Sequence, residues 1–238
     1  MKRILVNGTQ QEELRVAIVD GQKLYNLDIE AATKRQKKGN IYKGVIASIA
    51  PSLNAVFVDY GGTRQGFLPT KEICPRYFTT DFEGPIRKQV VHKLVEEGQE
   101  TIVQIVREEI SNKGASLSTY VSLSGLYMVL LPDKPRTHGI SQRISGTDRQ
   151  RMLDISRQLV TEKNEGLILR TACLNAEKKD LQKNLDYLRY LWKQIQKTSS
   201  QRSAPFLIYK EANIVLQAIQ NNLGSNVDEI IIDSQEIY

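Results

Sequence analysis

The sequence predicts an α+β protein of several subdomains. An α/β unit contributed by both ends of the chain is interrupted by a five-stranded β-barrel and by a second mixed region. Three observations predict it. Alternating apolar runs crowd the first 30 residues, five short strand-like runs with Gly-containing turns lie between Ile41 and Leu123, and from Leu126 helical periodicity mixes with isolated strands. With 238 residues and 27.0 kDa the chain can build one large domain or two to three small ones, so a single core is not required.

Taken in order, Arg3–Val6, Leu14–Val19 and Leu24–Ile29 read as a meander, with Asp20-Gly21 as the hairpin turn between the last two. A basic linker follows. Strands are then expected at Ile41–Ile49, Ala55–Tyr60, Gly66–Leu68, Thr101–Val106 and Ala115–Leu123, and the OB-fold is the common way to close five short strands. Tyr127–Leu131 reads as a strand, Thr147 as the N-cap of a helix through Leu159, and Gly166–Thr171 as another strand. Leu181, Leu185, Leu188, Trp192 and Ile195 recur at helical spacing, predicting one long amphipathic helix from Ala176 to Lys197 that ends at the polar run Thr198-Ser199-Ser200-Gln201. Strand Phe206–Tyr209, helix Asn213–Leu223 and strand Glu229–Ile232 close the chain. The last strand is apolar on both faces, as an inner strand would be, and the C-terminal part reads as incomplete.

Composition excludes several classes. The chain is 40% hydrophobic and 25% charged, with 15 Gly, 7 Pro and 2 Cys, which rules out collagen-like, disulfide-stapled and wholly disordered proteins. No apolar stretch approaches a membrane span or a signal peptide, and the chain reads as cytoplasmic. Cys74 and Cys173 stand alone and read as free thiols. There are 33 Lys+Arg against 27 Asp+Glu, a net charge of +6 that suits a polyanionic partner. The excess clusters at Lys34, Arg35, Lys37, Lys38 and Lys43, and again along Lys178, Lys179, Lys183, Arg189, Lys193 and Lys197. Solvated faces are the alternative for both clusters.

The most informative segment runs from Ala55 to Pro69. In a strand Val56, Val58 and Tyr60 share one face and Ala55, Phe57 and Asp59 the other, so valines facing a core would send Phe57 outward. An outward aromatic on an OB-type barrel is a platform for an unpaired base. Phe67 could add a second surface, with Lys43 and Lys113 meeting phosphates. The alternative is that both rings cap the core.

Catalytic patterns are missing. Gly61-Gly62 and Gly66 lack the lysine of a nucleotide-triphosphate loop, His92 and His138 have no partner at ligand spacing, and the acidic pairs Glu12-Glu13, Glu96-Glu97, Glu108-Glu109 and Asp228-Glu229 read as solvated. Asp233 ends a strand, where a metal-binding carboxylate could sit, but no partner is identifiable and it reads as structural.

With those segments in hand, the whole chain resembles the N-terminal part of the catalytic region of the ribonuclease E/G family. The opening is closer to the family's E branch. The resemblance rests on Met1-Lys2-Arg3, Gln10-Gln11-Glu12-Glu13-Leu14-Arg15-Val16-Ala17, Gly39-Asn40-Ile41-Tyr42-Lys43-Gly44, and the Phe57–Gly61 and Gly66–Pro69 blocks. It continues through Asn112-Lys113-Gly114-Ala115, Pro135-Arg136, Gly139-Ile140-Ser141, Leu169-Arg170-Thr171-Ala172 and Ala204-Pro205-Phe206-Leu207-Ile208.

The resemblance implies a layout of four segments. Residues 1–35 and 204–238 would form a ribonuclease-H-like subdomain without that fold's active carboxylates, in keeping with Asn7 in a first strand that carries no acid. Residues 36–120 would be an S-one-type OB-fold RNA-binding domain that holds RNA through Phe57, Phe67 and Lys113, and residues 121–203 a 5′ sensor. In the sensor Arg170 and Thr171, with the Gly125 and Val129 region, would hold a terminal 5′-monophosphate. A planar arginine fork and a hydroxyl suit that group, but neighbouring strand residues point oppositely, so both reach one phosphate only at a strand end or through a backbone N–H.

The resemblance further implies an endoribonuclease that cleaves single-stranded RNA in RNA processing and decay. It would use a Mg²⁺-holding aspartate pair and form zinc-linked homotetramers that associate with other RNA-decay proteins. Those catalytic and zinc motifs would follow Tyr238, so this chain by itself is expected to be inactive and to hold neither metal. DNA is not implied as a partner and membrane association is not indicated. A stand-alone RNA-binding protein without nuclease activity is the alternative.

Overall fold

Alternation in Lys2–Asn7 (β1) and Glu13–Asp20 (β2) puts Ile4, Val6, Val16 and Ile18 on one buried face, and Lys23–Ala31 (β3) completes the antiparallel meander. The computed structural model describes residues 1–9, 12–31, 37–79, 91–135, 137–159, 165–211, 214–222 and 227–235. Lys34, Arg35, Gln10, Gln11, Arg136, Asn213 and Leu223, named in the sequence reading, lie outside them.

The remaining elements are Ile41–Ala50 (β4), Ala55–Asp59 (β5), Gly66–Pro69 (β6), Val91–Leu94 (α1), Glu100–Arg107 (β7), Ser116–Ser118 (β8) and Leu123–Ser124 (β9). They continue with Met128–Leu131 (β10), His138–Ile140 (β11), Gly146–Gln158 (α2), Gly166–Leu169 (β12), Lys178–Gln201 (α3), Phe206–Tyr209 (β13), Ile214–Asn222 (α4) and Val227–Ile232 (β14).

Three sheets result. β14-β1-β2-β3 joins the two ends of the chain, with β14 parallel to β1 and α4 laying Ile214, Val215 and Ala218 on the buried face. In β13-β4-β5-β6-β8-β7 the last five strands close through β4–β7 into the OB-type barrel around Ile46, Val56, Val58, Tyr60, Leu68 and Leu117, and β13 adds antiparallel to β4 outside the closure. β11-β12-β10-β9 lies under α2 and α3, whose Met152, Leu181, Leu185 and Leu188 fill the third core. Both thiols are free and buried, and burial pushes the Cys173 thiol up to about 11.

Five details depart from the sequence reading. The expected strand Ala115–Leu123 is split between β8 and β9. Thr119 interrupts the ladder, its hydroxyl donating to the Glu72 carbonyl at 2.9 Å and accepting the Cys74 amide at 2.6 Å. The α2 N-cap is Ser145, not Thr147, because Gly146 takes φ +61 and lets the chain enter the helix two residues earlier. α3 runs through the polar stretch to Gln201, where Ser199 and Ser200 donate to the carbonyls of Gln196 and Lys197 and so bond within the helix.

The strand before Arg170 ends at Leu169, leaving Arg170 and Thr171 at the start of a 3-10 turn. Finally, β14 is an edge strand, with Ile230 and Ile231 about two-fifths exposed, because it pairs with β1 and with no other described strand.

Candidate RNA interface and phosphate pocket

The barrel displays its aromatics as the strand period requires. Val56, Val58 and Tyr60 are buried, Phe57 stands half-buried on the other face, and Phe67 lies directly across the β5–β6 ladder. The two rings meet edge to face, with centroids 6.0 Å apart and planes at 62°. Neither packs into the barrel core. They floor an open cleft of about 850 Å³, rimmed by Leu53, Ile110, Arg107, Asn112 and Lys113. Sequence reasoning missed Leu53 and Ile110, 58% and 67% exposed, whose only sequence signal is that each is a lone apolar residue inside a polar turn. Such a floor offers π-faces and apolar walls to bases, with cations at the rim for phosphates.

Lys113 belongs to this cleft and Lys43 does not. The Lys43 ammonium contacts the Glu100 carboxylate at 2.6 Å and donates to the Arg202 carbonyl at 2.8 Å, with only 12% of the side chain exposed. It fastens the barrel to the end of α3, and its bond holds the Glu100 carboxyl below the usual range.

In the third sheet the Arg170 guanidinium donates to the Gly125 carbonyl at 2.7 Å, and its backbone N–H donates to the Tyr127 carbonyl at 2.8 Å. Arg170 thus bridges β12 to the β9–β10 turn. Burial lowers its pKa, and the nearby Glu211 carboxylate opposes that effect. Arg170 faces two cavities. One, of about 320 Å³, it shares with Lys38, Ser124 and Glu211; the other, of about 720 Å³, it shares with Thr171, Arg143, Ser141 and Tyr25. Thr171 is therefore within the same pocket as Arg170. Val129 sits on β10 between Ser124 and Ile168 and lines neither cavity. Glu211, which sequence reasoning missed, is held by Asn40, whose side-chain oxygen accepts the Glu211 amide at 2.9 Å.

Gly125 sits where an added side chain would have to displace its neighbours. A Cβ there would stand 2.6 Å from Asn184 Oδ1 and 3.0 Å from Leu188 Cδ1, while Asn184 Oδ1 already accepts the Tyr127 amide at 3.1 Å. Gly125→Ala is expected to cost about 1–3 kcal/mol by overpacking this turn and to displace the carbonyl that orients Arg170. A thermal melt unchanged from the parent would refute it.

Asp233 accepts hydrogen bonds from Gly8 N at 2.7 Å, Thr9 Oγ1 at 2.7 Å and Asn7 Nδ2 at 2.5 Å, which lower its pKa and tie the end of β14 to the turn after β1. It serves as a structural clamp. Among the described residues no group of three His, Cys, Asp or Glu converges to hold a metal, and no described helix is long and apolar enough to cross a membrane.

Comparison with known proteins matches two segments of the chain. Residues 35–120, which contain the barrel, match the S1 RNA binding domain, and residues 122–238 match the Ribonuclease E/G family. Ribonuclease E of Haemophilus influenzae is 49% identical over 238 residues, all of this chain and 25% of that protein. Ribonuclease E of Escherichia coli is 48% identical over 237 residues, again all of this chain and 22% of that protein. Ribonuclease G of Salmonella typhimurium is 32% identical over 240 residues, covering 99% of this chain and 48% of that protein. The chain thus spans about a quarter of the length of the ribonuclease E relatives from Haemophilus influenzae and Escherichia coli. An S1 barrel followed by a segment matching one family, with similarity to family members from end to end, leaves one assignment: the chain belongs to the ribonuclease E/G family.

Proposed function

We propose that this chain is the RNA-holding and 5′-end-sensing part of a ribonuclease E type endoribonuclease acting in RNA processing and mRNA decay in the cytoplasm. The observation that carries the proposal is the half-buried Phe57–Phe67 pair that floors a cleft with Lys113, on a barrel matching the S1 RNA binding domain. Bases of a single strand stack on the two rings and along Leu53 and Ile110, while Lys113 and Arg107 meet the backbone. The terminal 5′-monophosphate is taken by Arg170 and Thr171 at the end of β12, with Gly125 orienting the guanidinium. Cleavage is assigned to residues outside this chain, where the family resemblance implies a Mg²⁺-holding aspartate pair, zinc-linked tetramers and further RNA-decay partners.

The test is fluorescence anisotropy with a short 3′-labelled single-stranded RNA bearing either a 5′-monophosphate or a 5′-hydroxyl. Tighter binding of the monophosphate form is expected, and Arg170→Ala should abolish that difference while leaving 5′-hydroxyl affinity within about two-fold. Equal binding of both RNAs by the unmodified protein would sink the sensing assignment and leave a general RNA-binding barrel.

A further inference from the structure

α3 is 24 residues long and buries only one stripe, Leu181, Leu185, Leu188 and Ile195, against the third sheet. The opposite stripe carries Lys179, Lys183, Tyr187, Tyr190 and Lys197, which fall within one face at 100° per residue. All five are exposed, the tyrosines at 59% and 61%. A helix ordinarily turns its large aromatics inward; here two of them stand in solvent one turn apart, between lysines. None of the three lysines has an ion-pair partner among the described residues. The acid on this side, Asp186, lies 3.6 Å from Arg189 and accepts from Gln182 at 2.9 Å. The stripe spans roughly 27 Å at 1.5 Å per residue.

We propose that this outward face of α3 is a second binding surface for single-stranded RNA. Phosphates meet Lys179, Lys183 and Lys197, and bases stack on Tyr187 and Tyr190. The chemistry selects the ligand. Lysine ammoniums release counterions from a phosphate backbone, and an exposed tyrosine offers a π-face that any base can use. The surface takes a further stretch of the strand whose other part lies in the barrel cleft, and so rests on the RNA-binding reading above.

The experiment compares a 6-nucleotide and a 30-nucleotide unstructured RNA over a salt series, using the chain itself. The variants are Tyr187→Ser with Tyr190→Ser, and Lys179→Gln with Lys183→Gln and Lys197→Gln. For the 30-mer the tyrosine variant should lose roughly ten-fold in affinity, and the lysine variant should flatten the slope of log K against log salt by about 2. The 6-mer should be unaffected by both, whereas Phe57→Ala should weaken both RNAs. Unchanged 30-mer binding in both α3 variants overturns the proposal, as does a change confined to self-association in sedimentation, which would make the face a contact between copies. If Phe57→Ala has no effect while the α3 variants do, the barrel reading fails and this one stands. All five positions are solvent-facing, so melting temperatures within a few degrees of the parent are expected; a collapse of the fold in both variants would contradict the exposure on which the inference rests.

Discussion

Arg189→Ala should destabilise the third sheet and the helices packed on it by about 3–5 kcal/mol, the largest stability effect expected of any single polar substitution here. Arg189 Nε lies 2.9 and 3.1 Å from the two oxygens of Glu165 and Nη2 lies 2.7 Å from Oε2, a bidentate fork. Glu165 and Arg189 side chains are only 8% and 14% exposed, so truncating the arginine takes a bidentate fork away from a carboxylate held largely out of water. Glu165 stands just before β12 and Arg189 in the middle of α3, so the pair fastens the strand that delivers Arg170 to the helix covering it.

The cost comes from a buried carboxylate losing the fork that compensates its charge, more than from the lost attraction. The double replacement Glu165→Leu with Arg189→Leu should therefore recover much of the loss. Trp192, the only tryptophan in the chain, lines the same cavity as this pair and reports the local transition by fluorescence during urea titration. If the single and double replacements prove equally unstable, packing of the arginine stem rather than charge burial is responsible and the account fails.

Phe57→Ala and Phe67→Ala should each weaken single-stranded RNA binding by about 1–3 kcal/mol, the range for losing one base-stacking surface. Because the rings touch at 6.0 Å between centroids, removing one also frees the other, and the double variant should lose less than the sum. Folding stability should hardly move, since neither ring packs against the barrel core. That separates this account from the alternative of core-capping rings. Isothermal titration for binding and thermal melts for stability decide between them: melting points lowered by many degrees with RNA affinity intact would show the rings to be structural.

Much of this was legible in one dimension. The valine alternation in Ala55–Asp59 fixes which side of the barrel Phe57 occupies, since a period of two leaves no third choice. The stripe from Leu181 to Ile195 likewise dictated the buried side of α3, and by subtraction the side left with lysines and tyrosines. Residue patterns such as Leu169-Arg170-Thr171-Ala172 carried the family resemblance, which the barrel and the similarity along the whole chain now support.

Other features depend on who meets whom across the sequence. Lys43 and Lys113 are both lysines of one barrel, yet only the fold sends one to the Glu100 carboxylate and the other to the rim of the cleft. Ile230 and Ile231 read as an inner strand, yet their exposure is set by sheet order, a long-range property that local hydrophobicity does not encode. The Gly125 carbonyl, the Glu211 carboxylate and Arg170 come together from segments 45 and 41 residues away from the arginine, joined by hydrogen bonds and a shared cavity. Period and composition, which act between near neighbours, thus determined most of the elements and their buried faces, and ordered residue motifs carried the family resemblance. Pairing between distant segments, which only tertiary packing brings about, decided which cations stay free for a polyanion and which are consumed in holding the fold together.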